Sequence, residues 1–83
     1  GPGYRRALAL VADDCVVAHG SYESTHHPIV NDGNDNVISK VTARSYDGYD
    51  GIKVASGDFE LYWSTIYEGV AGDYDGYGNE FPS

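Results

Sequence analysis

The alternation of apolar and polar residues between Ile52 and Tyr67 is the feature that most constrains the fold of this chain. A period of two residues is typical of a strand with one buried face. The apolar positions of the second half are Phe59, Leu61, Trp63 and Tyr67. Gly57 and Asp58 interrupt the pattern, and Gly in the first position of a two-residue loop fits a type II′ turn. We therefore predict a β-hairpin that pairs residues 52–56 with residues 59–67.

The register of this hairpin assigns each side chain to a face. It places Ile52 opposite Trp63 in the core, and Lys53 opposite Tyr62 on the solvent face. Phe59 and Leu61 share the core face with Trp63, so these side chains are predicted to form the scaffold. The outer face carries Glu60, Tyr62, Ser64 and Glu68.

The rest of the chain also favours strands. Residues 37–45 are rich in β-branched residues, but neither face is strongly apolar, which predicts an edge strand. Residues 5–18 indicate two strands around a turn at Asp13 and Asp14, with a short helix over residues 5–12 as the alternative. Residues 19–36 contain many turn-forming residues and are predicted to be mostly loop. The predicted fold class is all-β, a small antiparallel barrel or sandwich of about five to six strands.

The length of the chain allows one domain with a thin core. Its 83 residues predict a single acidic β domain over residues 3–83, and Gly1 and Pro2 are interpreted as a cloning scar. Cys15 is the one cysteine, which excludes an intrachain disulfide. Because Cys15 begins an apolar run, we expect it in the core.

The charge of the chain argues against nucleic acid and anionic membranes as direct partners. The formal net charge is −8, and no Lys or Arg follows Lys53. A surface of this sign repels phosphate groups and attracts basic surfaces. The same base-free third is rich in aromatic residues, which offer wide and stiff contact area at low entropic cost. This combination predicts a basic protein surface as the partner.

The sequence Tyr-Asp-Gly-Tyr occurs twice, at residues 46–49 and at residues 74–77. Asp-Gly is a turn dipeptide, because Gly accepts a positive φ and Asp bonds its own backbone. One interpretation is a pair of simple turns between strands. The other is a pair of tyrosine-bearing loops at one end of the domain that together form a binding face.

Two oxygen-rich segments suggest calcium as an alternative ligand. Residues 31–36 and residues 73–79 hold the carboxylate and amide oxygens that calcium prefers, although neither segment forms an EF-hand. The three histidines lack the spacing of zinc ligands, and no catalytic motif is present. We therefore predict no catalysis and no cofactor, with a calcium-binding β module as a further alternative.

Two short motifs resemble those of the βγ-crystallins. Residues 62–69, Tyr-Trp-Ser-Thr-Ile-Tyr-Glu-Gly, are similar to the Greek-key signature of that family, and residues 35–40 are similar to its calcium motif with Lys40 in place of the final Ser. The resemblance implies a two-Greek-key β-sandwich with Asp35, Asn36 and Ser39 as calcium ligands. In that family the signature precedes the calcium motif, whereas in this sequence it follows.

The predicted function is that of a non-catalytic binding protein that docks on a basic protein partner, as an inhibitor or a mimic of nucleic acid would. The acids would pair with basic groups, and the tyrosines would supply packed area. The predicted partner-binding residues are Asp58, Glu60, Tyr62, Glu68, Asp73, Tyr74, Asp75 and Tyr77. The alternative is an extracellular structural subunit that self-associates through its strand edges.

Overall fold

The structure, a computed structural model, describes residues 7–82 and is a parallel β-solenoid of about three turns. Its strands form one seven-stranded sheet, and the described residues include no helix. The strands are β1 (Leu8–Leu10), β2 (Val16–Ser24), β3 (Ile29–Ser45), β4 (Ile52–Tyr62), β5 (Thr65–Ile66), β6 (Val70–Ala71) and β7 (Asp75–Tyr77).

Each winding of the chain lies on the one before it with all strands parallel. The first winding carries β1 and β2, the second β3 and the third β4 and β5, and a last, partial winding carries the short strands β6 and β7. Leu8 aligns with Ile29, Ile29 with Ile52, and Ile52 with Val70, so one column of side chains runs through all four windings. The prediction of an all-β chain is confirmed, but the prediction of an antiparallel barrel or sandwich is wrong.

The predicted hairpin is also wrong, because β4 continues through Gly57 and Asp58 without reversing. Ile52 therefore aligns with residues of neighbouring windings and not with Trp63. Lys53 aligns with Val30 and Ala71 and not with Tyr62. A period of two residues is common to parallel and antiparallel strands, so the pattern itself does not reveal which strand is the partner.

The segment at residues 37–45, predicted as an edge strand, lies in the middle of the sheet. It belongs to β3, which pairs with β2 on one side and with β4 and β5 on the other. The prediction of two strands around a turn at Asp13 and Asp14 is confirmed by β1 and β2. Residues 7–12 are not helical, and the start of the alternative helix at residues 5 and 6 lies outside the described residues, as do Gly1 and Pro2.

One column of left-handed residues explains why the predicted faces are wrong beyond Tyr62, although Phe59 and Leu61 are buried as predicted. The aligned residues and their φ angles are His19 (62°), Lys40 (57°), Trp63 (54°) and Gly78 (77°). At this corner the chain changes direction, and the regular alternation of inward and outward side chains is interrupted. Ile38 and Val41 are therefore both buried although three positions apart. Trp63, predicted in the core, is 57% exposed for the same reason.

Aliphatic side chains fill the interior of the coil. The buried apolar residues are Leu10, Ile29, Ile38, Val41, Ala43, Ile52, Phe59, Leu61 and Ile66. Each fully buried aliphatic side chain contributes roughly 1.5–3 kcal/mol through its removal from water. Cys15 is half-buried and packs against this cluster, close to its predicted place.

The prediction that residues 19–36 are mostly loop is wrong, because they lie largely in β2 and β3, and the polar segment at residues 31–36 is part of β3. Asn31 and Asn36 are fully buried within the coil, where Asn36 Nδ2 donates to Asn31 Oδ1 at 2.8 Å. Asn31 Nδ2 donates in turn to the carbonyls of Gly33 at 3.1 Å and Ser56 at 3.2 Å, and Asn36 Oδ1 accepts the Cys15 N–H at 2.8 Å. We call Asn31 and Asn36 the asparagine network. Its side chains form hydrogen bonds with backbone groups of three successive windings. These groups lie where the register between β3 and β4 shifts, so that regular strand pairing is interrupted.

Candidate binding surface

The register of β4 and β7 brings predicted site residues together. Glu60 aligns with Asp75, Leu61 with Gly76, and Tyr62 with Tyr77. Leu61 points inward and is fully buried, so its neighbours in β4 point outward. The result is a column of two carboxylates beside a column of two tyrosines on the outside of the last two windings.

A shallow hollow of about 120 Å³ adjoins the carboxylate column on the side away from the tyrosine column. Its lining residues are Asp58, Phe59, Asp73, Tyr74 and Asp75. Tyr74 stacks on Phe59 with ring centroids 5.8 Å apart, and Phe59 is only 3% exposed. The tyrosine is thus anchored on the core while carboxylates surround the opening. We define the acid–aromatic face as the seven residues Asp58, Glu60, Tyr62, Asp73, Tyr74, Asp75 and Tyr77.

The electrostatics of this corner are dominated by carboxylates from successive windings. The Asp58 carboxylate raises the pKa of Asp35 above its ordinary value, followed by loss of hydration and by the charges of Asp14, Asp13 and Glu60. Asp58 Oδ1 also accepts the Asp35 N–H at 2.6 Å, which holds the two residues together. Asp35 and the carboxylates that act on its pKa come from three successive windings, so the negative charge is spread over all three.

The Tyr62 hydroxyl is tied to the carboxylate column. It donates a short hydrogen bond to Glu60 Oε1, and this bond is the main cause that raises the pKa of Tyr62 above its ordinary value. Loss of hydration and the charge of Glu60 act in the same direction. The bond orients the Tyr62 ring, so an acid and an aromatic ring form one fixed unit on the surface.

Glu68 and the turn at residues 46–49 do not join this face. Glu68 lies in the connection between β5 and β6, where its N–H donates to Pro82 O at 3.3 Å. Tyr46 lies in the connection between β3 and β4, and its hydroxyl donates to Glu23 Oε2 at 2.8 Å. The two Tyr-Asp-Gly-Tyr segments therefore occupy different positions around the coil, and the hypothesis that they form a single face is wrong.

Sequence reasoning missed several residues around the acid–aromatic face. The pattern assigned Trp63 to the core and Asp13 and Asp14 to a turn, and it offered Asp35 only as a calcium ligand. Asp14 and Asp35 share a φ of 58° and lie two positions before Val16 and Val37, which are paired. The signal in the sequence was the spacing of about one winding that separates Asp14, Asp35 and Asp58.

The buried amide side chains of the oxygen-rich segments bond within the coil. The asparagine network occupies residues 31–36, and Asn79 Oδ1 accepts the Ser64 N–H at 3.0 Å while its Nδ2 donates to Leu61 O at 3.0 Å. Among residues 7–82 no group of three or more His, Cys, Asp or Glu side chains is arranged to hold a metal ion. The parallel topology also differs from the Greek-key sandwich that the βγ-crystallin resemblance implies, and Asn36 is buried away from any ligand position.

Comparisons with protein-family models, curated proteins and solved structures find no match for this chain. Within the described part of the chain, no helix is long and apolar enough to cross a membrane. The acid–aromatic face and its surroundings are therefore interpreted from their own geometry and charge.

Proposed function

We propose that this protein is a non-catalytic binding protein that docks its acid–aromatic face on a basic surface of a protein partner. The single observation that carries the proposal is the alignment of Glu60 with Asp75 beside that of Tyr62 with Tyr77. Carboxylates supply charge complementarity, and the neighbouring rings supply contact area that is already ordered.

The cost of this arrangement to the isolated protein supports a role in binding. Like charges directly opposite each other on neighbouring strands destabilise a sheet. Glu60 and Asp75 form such a pair, and Asp58 and Asp73 lie beside them at the rim of the hollow. A basic partner would relieve this repulsion, so the free energy lost in folding the isolated chain is recovered on binding.

A basic protein fits the face better than a nucleic acid or an anionic lipid, because phosphate groups would add to the existing negative charge. Lys40 and Lys53 both lie outside the carboxylate column. Lys53 aligns with Ala71 away from the carboxylate column, and Lys40 lies one winding above Trp63. The face thus presents carboxylates in at least two adjacent windings.

Self-association is the second candidate, and the outer edge of the last winding favours it. β6 and β7 each pair with β4 on one side. Within residues 7–82 neither has a strand partner on its other side. Unpaired edges of this kind accept strands from other chains. Light scattering separates the two candidates, because a basic-partner binder stays monomeric without its partner.

The test uses a labelled short peptide of alternating Lys and Ser, with binding followed by fluorescence anisotropy. We expect binding to weaken steeply from about 20 to about 300 mM NaCl, because the contributing charges are exposed. The double variant Glu60→Gln/Asp75→Asn should weaken binding about two- to tenfold at low salt. The control Asp47→Asn/Glu68→Gln changes the net charge equally but lies elsewhere on the coil. Equal losses in both double variants, or binding indifferent to salt, would contradict the proposal.

A further inference from the structure

Trp63 stands out on the surface because the fold exposes a large ring that the chain could have buried. Its φ of 54° places it at the corner column, and 57% of its surface is accessible. The indole lies against Gly78, where a Cβ atom would overlap the ring, so the absence of a side chain at position 78 lets Trp63 lie flat on the coil. The ring is therefore fixed in place from behind while its outer side faces solvent.

Two tyrosines complete a group of rings around Trp63. The Tyr77 ring lies 5.3 Å from the Trp63 ring at an angle of 87°, and the Tyr62 ring lies 4.9 Å from that of Tyr77 at 73°. Tyr77 is 62% exposed. We call Tyr62, Trp63 and Tyr77 the ring cluster. Rings that meet nearly at right angles present faces in two directions, which suits a ligand seated in the angle between them.

Carboxylates stand directly beside the ring cluster. Tyr62 donates its hydroxyl proton to Glu60, and Asp75 aligns with Glu60 on the next winding. A cation that contacts the rings is thus within the field of two acids. Aromatic faces attract cations through the quadrupole of the ring, and nearby carboxylates add hydrogen-bond acceptors.

We propose that the ring cluster is the anchoring site for an arginine side chain of the basic partner. The proposal rests on the proposed function and names the group of the partner that the face recognises. The guanidinium would stack on Trp63 or Tyr77 and donate to the carboxylates of Glu60 and Asp75.

Arginine fits this site better than lysine. Its guanidinium is planar, is weakly hydrated and presents donors in a fork that matches a carboxylate, whereas an ammonium is a strongly hydrated point charge. The molecule contains the same pairing elsewhere, since the Arg44 guanidinium carbon lies 4.0 Å from the centroid of the Tyr67 ring. That internal contact shows that a half-buried tyrosine of this coil accepts a guanidinium over its ring.

The experiment uses Trp63 as its own reporter, because it is the one tryptophan of the chain. Three labelled peptides alternate Ser with Arg, with Lys or with neutral citrulline. We expect the Arg peptide to bind about two- to fivefold more tightly than the Lys peptide and to change the Trp63 emission on saturation. The citrulline peptide, which keeps the shape of arginine without its charge, should leave the emission unchanged.

Variants separate the ring cluster from charge alone. Tyr77→Leu should weaken the Arg peptide about two- to fivefold and the Lys peptide less, and Trp63→Leu should act in the same way. Tyr46→Leu is the matched control, because Tyr46 is as exposed as Trp63 but lies in another connection. Circular dichroism verifies that each variant keeps its strands.

The outcomes distinguish this proposal from the one on which it rests. If no basic peptide binds in a salt-dependent manner, the proposed function itself fails. If both basic peptides bind equally, the Trp63 emission stays constant and Tyr77→Leu has no effect, then docking stands and the arginine site is wrong. If a neutral glucan changes the Trp63 emission and the Arg peptide does not, the proposed arginine site is also wrong.

Discussion

Replacing Asn31 by Ala tests how much the asparagine network, which joins the windings of the coil, contributes to stability. The substitution removes the hydrogen bonds that Nδ2 donates to the carbonyls of Gly33 and Ser56, a longer one of 3.5 Å to the Asp58 carbonyl, and the acceptor of the bond from Asn36. Each buried hydrogen bond contributes about 1 kcal/mol, so we expect the free energy of unfolding to fall by about 3 kcal/mol. A domain of this size has a stability of about 4–12 kcal/mol, so the loss is a large part of the total.

Urea unfolding followed by circular dichroism and by Trp63 emission measures this loss. With an m-value of about 1 kcal/mol/M for a small protein, the midpoint should move down by about 3 M. Coincident curves from the two probes establish that the transition is two-state. The matched control is Asn34→Ala, since Asn34 lies in the same strand but is exposed, and it should change stability by less than about 0.5 kcal/mol.

A double-variant cycle isolates the bond between the two asparagines. Asn36→Ala alone removes this bond and the one that Asn36 accepts from Cys15, which predicts a loss of about 2 kcal/mol. Because the bond between Asn31 and Asn36 is counted in both single variants, the double variant should cost about 1 kcal/mol less than their sum. A loss below about 1 kcal/mol for Asn31→Ala, or a loss equal to that of Asn34→Ala, would refute the reasoning.

Two further predictions concern the backbone and the acidic corner. Gly57→Ala should lower the free energy of unfolding by more than about 2 kcal/mol, since its Cβ would overlap the Gly33 carbonyl, whereas Gly48→Ala, also at positive φ but in open space, should cost about 1 kcal/mol. Equal losses in urea unfolding would contradict this. Asp35→Asn should raise the melting temperature at neutral pH, because a folded-state pKa raised mainly by Asp58 means that the ionised carboxylate destabilises the fold. This gain should shrink as the pH falls through the raised pKa and vanish below the ordinary value of 3.8, and a gain that persists there would show that the cause is not the charge.

The candidate site was partly accessible from sequence because its residues are close in the chain. Asp58, Glu60 and Tyr62 lie on one strand, and Asp73, Asp75 and Tyr77 follow within one winding. The sequence could not predict that Glu68 and the turn at residues 46–49 lie apart from these residues. Those segments share composition with the face, and only the register of the windings places them in other connections.

The reversal of Trp63 from core to surface has a specific cause. Its strand alternates regularly from Phe59 to Tyr62, so the extrapolated pattern buries residue 63. A single left-handed residue at the corner breaks that phase, and positive φ is uncommon for a side chain as large as Trp. The aligned residues at this corner include Gly78, and Gly in the last winding was the one local hint of such a conformation.

The sequence by itself determined that the chain forms strands, that Phe59 and Leu61 are buried, and that acids and tyrosines occupy a third without bases. These properties follow from propensity, hydrophobic pattern and charge, which are local. Only the tertiary structure decided that the strands stack in parallel and that Asp14, Asp35 and Asp58 meet at one corner. The physical reason is that strand pairing is a long-range choice. Parallel and antiparallel pairing bury the same alternating face of a strand. Which of the two forms depends on how buried asparagines, closely packed glycines and left-handed corner residues let one winding lie on the next.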